Sequence, residues 1–171
     1  FRPMDLAASA GYGVKVQGLD VGAAAKYIVS KIRNQATGTA FDVGLRYWLH
    51  PCTVSASVAN MGKGLKFHER LDPLPTIVRL GAGYQSKAWT LAADLVVTKG
   101  TRPHLALGAE RNLQFGRSFQ TSLRGGYNTI HLGSGLGPVA GASLGLGIKV
   151  HSLGLDYSWL PMGLLGSTSM V

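Results

Sequence analysis

The sequence predicts an all-β chain, an antiparallel up-and-down meander that forms a transmembrane β-barrel, and three patterns support this prediction. Apolar residues alternate with small or polar residues at a period of two along most of the 171 residues, which is typical of strands with one oily face. Short and long connections alternate between these segments. Aromatic residues gather toward the segment ends. No segment with the 3.6-residue period of a helix stands out.

Ten segments carry the alternation, and almost every other residue lies in a connection between consecutive segments. In chain order the predicted strands are residues 5–16, 19–30, 41–49, 54–59, 78–85, 89–97, 102–110, 118–127, 143–150 and 153–159. An eleventh strand is expected to start after Gly166 and to be cut off at Val171. Residues 1–171 are therefore expected to form a single β-barrel domain.

The first and last hairpins show why these segments are assigned as strands. Gln17-Gly18 separates two alternating runs, and Gly can supply the positive φ that a two-residue turn requires. At the other end, the alternation is interrupted only by His151-Ser152. Residues that flank such a turn are paired and share a face, so Val150 and Leu153 keep the apolar set on one side. That face, from Leu144 to Trp159, is predicted to contact lipid, with Trp159 near the outer interface.

Alternation alone fits a soluble β-sandwich equally well, with the apolar face as its core. Strand and connection lengths favour the membrane alternative. Six of the ten predicted strands run 9–12 residues, which suits a tilted crossing, whereas strands of soluble proteins usually run about 5–6. Short turns at one end and long loops at the other are the outer-membrane arrangement. The short connections are 17–18, 50–53, 86–87 and 151–152, and the longer ones are 33–38, 62–75 and 129–141.

Aromatic residues near strand ends suit the two membrane interfaces, where amphipathic rings are favoured. Any one of them is explained as well by core packing, so the collective pattern carries the interpretation. The residues are Tyr27, Tyr47, Trp48, Tyr84, Trp89, Tyr127, Tyr157 and Trp159.

The charges sort by strand face. Seven bases and six acids fall on the small-residue face, which is the near-neutral balance expected of a lumen with cross-strand ion pairs. These predicted lumen-facing residues are Asp5, Lys15, Asp20, Lys26, Asp42, Arg46, Arg79, Asp94, Arg102, Glu110, Arg124, Lys149 and Asp156.

The net charge of +9 is therefore concentrated outside the strands: the other ten bases and two acids leave +8 in turns, loops and strand ends. A nucleic-acid-binding protein would place its positive charge on one face, so nucleic acid is not an expected partner. Basic loops suit the phosphates of outer-membrane lipopolysaccharide, and solubility explains them equally well.

No motif for catalysis or cofactor binding stands out, so we expect neither an enzyme nor a cofactor. His104 and Glu110 share the small-residue face, but such groups more often form hydrogen-bond networks. The five histidines have no metal-ligand spacing. The glycine-rich run 133–137 precedes no helix pattern and is not expected to bind phosphate. Cys52 is expected to be a lone thiol without a role.

The order of the hairpins resembles the PorV/PorQ family of outer-membrane proteins, which is related to the FadL-type barrels. The loop motif ASVANMGKGLKF, with its neighbours, is the most specific part. The matching segments are AAAKYIVSKI (23–32), GTAFDVGLRY (38–47), VSASVANMGKGLKF (54–67), LPTIVRLGAGY (74–84), WTLAADLV (89–96), LALGAE (105–110), SLRGGY (122–127) and LGLDYSWLPMGLLGSTS (153–169). The resemblance implies a fourteen-stranded barrel, so this chain is expected to lack about three N-terminal strands.

The same resemblance implies an outer-membrane location and two alternative functions. One is a non-enzymatic scaffold of a secretion or surface-attachment system, related to type IX secretion. Its loops 62–75 and 129–141 would bind protein partners, with Lys63, Lys66, His68 and Arg70 as candidates. The other is a FadL-like channel that passes hydrophobic small molecules. Small residues on the inner face, such as Gly11, Gly13, Gly145 and Gly147, would leave room for a solute.

Overall fold

The structure, a computed structural model, describes residues 4–31, 35–67, 70–116 and 118–170. Three short 3-10 helices lie in its connections, at Thr129–His131, Pro138–Gly141 and Gly163–Leu165. Within the described ranges, no helix has both the length and the apolar character needed to cross a membrane. The strands are β1 (Met4–Val16), β2 (Leu19–Lys31), β3 (Gln35–Leu49), β4 (Cys52–Gly62), β5 (Leu65–Phe67), β6 (Arg70–Asp72), β7 (Ile77–Gln85), β8 (Trp89–Thr98), β9 (His104–Phe115), β10 (Phe119–Asn128), β11 (Ala142–Val150), β12 (Leu153–Pro161) and β13 (Ser167–Met170).

Eleven of these strands form one antiparallel sheet in the order β1-β2-β3-β4-β7-β8-β9-β10-β11-β12-β13. The small hairpin β5–β6 is inserted between β4 and β7 and pairs only with itself. The all-β class and the sequential antiparallel order are therefore confirmed, as is an eleventh strand after Gly166. Among the described residues no pairing joins β13 to β1, so these strands alone do not close into the predicted barrel.

The chain divides into two compact units. Unit 1 comprises Phe1–Trp48, Val54–Leu80 and Val97–Thr101, and unit 2 comprises Leu49–Thr53, Gly81–Val96 and Arg102–Val171.

In unit 1, β2 pairs with β1 on one side and with β3 on the other, over 13 residue pairs in each ladder. The turn between β1 and β2 has positive φ values at Gln17 (48°) and Gly18 (87°), as a two-residue hairpin turn requires. Directly opposed residues of antiparallel strands share a face. The two registers therefore place Lys15, Asp20 and Arg46 side by side in one row.

In unit 2, strands β8 to β12 pair consecutively, and β13 pairs with the end of β12. Val150 lies opposite Leu153, which confirms the register predicted for the His151-Ser152 turn. In the neighbouring ladders, Glu110 lies opposite Arg124 and Gly147 lies opposite Asp156. All four residues consequently lie on one face of the sheet.

In each unit, the face that carries these charged residues is called the polar face below, and the opposite one the apolar face. It is the apolar face that is exposed. In β2 the alternate residues from Val21 to Tyr27 are exposed, while those from Asp20 to Lys26 are half-buried. The same alternation recurs in β9, where Leu107 is 50% exposed. Among the described residues the buried apolar side chains are few, namely Ala36, Ala40, Val96, Ala140 and Pro161.

Several strand boundaries differ from the predictions, among them those of β3, β4 and β9. The predicted loop 33–38 is wrong, because β3 already begins at Gln35 and pairs with β2 through small residues that give a weak apolar signal. β4 continues beyond residue 59, through Asn60, to Gly62. β9 begins at His104, so the strand position predicted for Arg102 is wrong. Pro103 separates Arg102 from β9, and proline has no N–H to donate to a ladder.

Candidate functional site

Three charged networks lie on the polar face. The first is centred on Asp20 at the start of β2. Its Oδ2 accepts hydrogen bonds from Arg46 Nε (3.1 Å), Arg46 Nη2 (2.9 Å) and Trp48 Nε1 (2.8 Å). Lys15 Nζ lies 4.0 Å from the other carboxylate oxygen. The guanidinium of Arg46 and the indole N–H of Trp48, both on β3, thus bind the same carboxylate oxygen of Asp20.

Both cations of this network also lie over the Trp48 ring. Arg46 Cζ is 4.6 Å and Lys15 Nζ 5.4 Å from the ring centroid, within the range of a cation–π interaction. The network carries one acid and two bases, so its net charge is positive. Lys15, Asp20 and Arg46 line an open cleft of about 710 Å³. Gly13, Gly22 and Gly44 also form part of its wall.

The second network joins β2, β3 and β4. Lys26 Nζ lies 2.6 Å from Asp42 Oδ2 and donates to Asn60 Oδ1 at 3.0 Å. The backbone N–H of Asn60 donates to Asp42 Oδ1 at 2.9 Å, and its amide Nδ2 donates to the Pro75 carbonyl at 3.2 Å. Asn60 has a φ of +60°, a left-handed conformation that Asn tolerates better than most residues. This backbone kink turns the Asn60 side chain toward Lys26.

Asn60 and two glycines hold the connection that follows β4. A Cβ at Gly64, where φ is +80°, would collide with the carbonyl oxygen of Asp72. A Cβ at Gly38 would lie 2.7 Å from the Gly64 carbonyl oxygen and 3.3 Å from the Leu65 side chain. The segment therefore packs closely against the backbone of β3, which explains why Ala36 and Ala40 are buried there.

The third network is in unit 2 and is centred on Arg124 of β10. Its Nε donates to Glu110 Oε2 at 2.5 Å, and its Nη1 donates to Asp156 Oδ1. Asp156 lies on β12, two strands away from Arg124. The guanidinium reaches it because Gly147 of β11 has no side chain: a Cβ there would lie 2.7 Å from Asp156 Oδ1 and 3.2 Å from Arg124 Nη1.

Neutral side chains extend this network along β9 and β10. Asn112 Nδ2 donates to Glu110 Oε1 at 2.8 Å. The Asn112 carbonyl oxygen in turn accepts from Ser122 Oγ (2.6 Å) and Gln120 Nε2 (3.2 Å). Every polar atom of the Glu110 carboxylate thus has a donor, as a half-buried charge requires.

The predicted lumen-facing residues fall into three groups. Eight belong to the networks above, and Asp5 accepts a 2.6 Å hydrogen bond from Ser30 Oγ. Arg79, Asp94 and Lys149 lie in strands, and no ion pair joins them to another residue of the described ranges. Arg102 lies in the connection before β9. The eight network residues are Lys15, Asp20, Lys26, Asp42, Arg46, Glu110, Arg124 and Asp156.

Three of the four candidates for partner binding, Lys63, Lys66 and Arg70, lie on or beside the β5–β6 hairpin. Lys63 and Lys66 are exposed. His68 lies outside the described residues. Arg70 begins β6. Leu71, in the same hairpin, is 55% exposed, so this surface combines cationic and apolar side chains.

Sequence reasoning missed Asn60 and the part that Trp48 plays in the Asp20 network. The only signal for Asn60 was its place in the motif ASVANMGKGLKF, between an alternating run and two glycines. Among the described residues no group of three potential ligands could hold a metal ion. Within the same described residues, His104 Nδ1 is buried and has no hydrogen-bond partner. Asp42 and Arg46, close in sequence, belong to different networks.

No family model, curated protein or solved structure matches this chain. The resemblance to the PorV/PorQ family therefore stays a prediction.

Proposed function

We propose that this chain is part of an outer-membrane β-barrel whose apolar face contacts lipid and whose polar face lines the interior. One observation carries the proposal: large apolar side chains are exposed on one face of the strands, while on the other face eight charged side chains form ion pairs and the carboxylates of Asp20, Asp42 and Glu110 are half-buried. Phe41 and Leu155 are 54% and 59% exposed, whereas Asp42 and Glu110 are half-buried and each accepts from two donors.

This distribution suits a bilayer and not water. A soluble monomer rarely exposes contiguous apolar patches of more than a few hundred Å², and in a β-sandwich such faces pack on a second sheet. In hydrocarbon the same face is favoured. Strands β1, β2 and β3 have 13, 13 and 15 residues, enough to cross a bilayer at a tilt.

One charge on the apolar face fits the same proposal. Arg111 lies opposite Trp89 and Leu123, and its guanidinium is 5.0 Å from the Trp89 ring centroid. Trp89 begins β8, directly after the short connection 86–88. An arginine stacked on a tryptophan at a strand end is what a membrane interface accommodates.

For the role of the barrel we propose a non-enzymatic scaffold that binds a protein of a secretion or surface-attachment system. The support is the β5–β6 hairpin, which is anchored at its base by Asn60 and Gly64 and presents Lys66 beside the exposed Leu71. A hairpin that is held at its base and presents mixed apolar and cationic side chains is suited to protein recognition. Basic residues in the connections would also meet lipopolysaccharide phosphates.

A second candidate function is a channel for hydrophobic small molecules. The observation that favours it is the cleft of about 710 Å³ on the polar face, where Gly13, Gly22 and Gly44 leave the backbone uncovered. Such a row of glycines gives a solute room without removing the charged networks beside it.

Membrane integration is tested by fractionation and by heat-dependent migration of the purified protein on SDS gels. We expect the protein to stay with outer membranes after urea extraction, and its unheated band to migrate differently from the boiled one. Monodisperse behaviour in buffer without detergent, with no change of migration on heating, would overturn the proposal and indicate a soluble sandwich.

The role is tested by site-specific photo-crosslinking. A crosslinker at Lys66 is expected to capture one protein in stoichiometric amount, and a crosslinker at Thr101, in the exposed β8–β9 connection, is the matched control. Capture at neither position, together with uptake of a hydrophobic solute into liposomes that contain the protein, would favour the channel instead.

A further inference from the structure

Two connections of unit 2, residues 129–141 and 162–166, pack together into one cluster, called the loop cluster below. Gly163 has a φ of +60° and lies against the Leu136 carbonyl oxygen, so no larger residue fits there. Ala140, at the contact between the connections, is 8% exposed. The loop cluster is therefore an ordered surface.

The loop cluster presents six large apolar side chains to its surroundings, Ile130, Leu132, Val139, Met162, Leu164 and Leu165. Leu164 and Leu165 are 86% and 72% exposed. These six side chains are thus exposed, although the loop cluster buries Ala140.

This surface has no Asp, Glu, Lys or Arg side chain, and its one titratable group is the exposed His131. The sequence contains no Asp, Glu, Lys or Arg between Arg124 and Lys149 or after Asp156, although the chain as a whole carries 25 of them. A protein-binding surface usually combines an apolar centre with a polar rim and is enriched in Tyr, Trp and Arg. Exposed aliphatic side chains without charges are instead suited to the boundary between lipid headgroups and acyl chains.

The loop cluster also continues the apolar face of the strands. Tyr127 lies opposite Leu107 on that face. Its hydroxyl donates to the Pro138 carbonyl at 2.9 Å, and a Cβ at Gly141 would lie 3.3 Å from its ring. The 3-10 helix Pro138–Gly141 is thus fixed to a residue of the apolar face. The loop cluster and the apolar face are therefore expected to contact the same medium.

We propose that the loop cluster enters the membrane interface and extends the lipid contact beyond the ends of β10, β11 and β12. The inference rests on the proposed lipid contact of the apolar face. It assigns a different partner to the loop 129–141 than the protein partner predicted from the sequence.

The test places a fluorescent bimane label at single cysteines in the Cys52→Ser protein, folded into phosphatidylcholine liposomes. Cys52 is exposed and forms no disulfide, so we expect its replacement by Ser to be tolerated. Leu164→Cys reports on the loop cluster, and Leu165→Cys replaces it if the first variant does not fold. Leu155→Cys, on the apolar face of β12, is the lipid reference, and Lys66→Cys is the aqueous reference. Each label is quenched in turn by lipids brominated on the acyl chain and by aqueous iodide.

We expect the Leu164 label, like the Leu155 label, to lose at least about half of its fluorescence to lipids brominated near the headgroup, because interfacial segments lie about 5–10 Å deep. If the Leu164 label responds to iodide only, while the Leu155 label responds to lipid, the inference is wrong and the proposed function stands. Protection of the Leu164 label from both quenchers indicates a protein cover and overturns the inference too. If the Leu155 label also responds to iodide only, the proposed function fails together with the inference.

Discussion

Arg124 and Asp156 are hydrogen-bonded although they lie on strands that are not neighbours, because the guanidinium passes over Gly147 of the intervening strand. The same guanidinium binds Glu110 on the opposite side. One side chain consequently links β9, β10 and β12. A glycine inside a strand usually weakens it. Gly147 of β11 instead allows Arg124 to bind Asp156, so that the contacts of Arg124 extend from β9 to β12.

The first prediction concerns this glycine. Gly147→Ala places a Cβ within 2.7 Å of Asp156 Oδ1, so the bond between Arg124 and Asp156 must break. Because both side chains are partly exposed, we expect a loss of about 1 kcal/mol in the free energy of unfolding. Urea denaturation of the protein in detergent micelles measures it. Gly108→Ala is the matched control, since a Cβ there meets no atom within 4 Å. Equal unfolding midpoints for Gly147→Ala and Gly108→Ala would show that the hydrogen bond from Arg124 to Asp156 does not require a glycine at residue 147.

The second prediction separates the two roles of Asn60. Asn60→Gly keeps the left-handed backbone but removes the side-chain bonds to Lys26 and Pro75, which is expected to cost about 1 kcal/mol. Asn60→Ala also adds backbone strain of about 1–2 kcal/mol. The rate of trypsin cleavage after Lys63 and Lys66 is therefore expected to rise in the order wild type, Gly variant, Ala variant. If the two variants are cleaved equally fast, the left-handed conformation contributes nothing.

The third prediction follows from the proposed lipid contact of β3. Phe41 lies at the middle of this strand and Tyr47 near its end, both exposed on the apolar face. In a bilayer, Phe41→Arg is expected to cost about 2–4 kcal/mol and Tyr47→Arg about 0–1 kcal/mol, since the cost of a charge depends on its depth. Reversible unfolding in liposomes measures both. In a soluble protein each exposed substitution would change stability by about 0.5 kcal/mol or less, so similar small values would count against the membrane.

The fourth prediction concerns the charge of the Asp20 network. Asp20→Ala leaves Lys15 and Arg46 beside Trp48 without their carboxylate. In a protein whose other tryptophans are replaced by Phe, iodide quenching of Trp48 is expected to rise roughly twofold, because the added positive potential concentrates anions. Caesium quenching should fall. Ser55→Ala, which alters the same cleft without a change of charge, is the control. Parallel changes for both ions would mean that only access to the ring had altered.

The strand pattern could be predicted from the sequence where the side chains on the two faces differ strongly. In β11, Leu and Ile alternate with Gly and Lys, and in β12 Leu, Tyr and Trp alternate with Gly, Asp and Ser. The two-residue turn then specifies the register of Val150 and Leu153. In β3 the start was missed, because Ala36, Gly38 and Ala40 alternate with threonines that differ little from them in hydrophobicity. Only pairing with β2 identifies that part as a strand.

The charged networks could be predicted only in part. Alternation put Glu110, Arg124 and Asp156 on one face, but which acid binds which base depends on the registers of several ladders. Asp42 and Arg46 are close in sequence, but they bind Lys26 and Asp20 of the neighbouring strand β2 and not each other. The left-handed kink at Asn60 breaks the alternation itself, so a pattern of period two could not reveal it.

The strict two-faced character of β2 also restricts how this gene can change its length. Its neighbours hold it in register over 13 pairs on both sides, and loss of one codon between Leu19 and Lys31 would move every following side chain to the opposite face. If the lost codon lies between Asp20 and Lys26, these two residues no longer share a face, and in the proposed bilayer one of them would enter hydrocarbon. Insertions and deletions should therefore be tolerated in the connections and selected against within strands, and in-frame length variants will accumulate at loop positions.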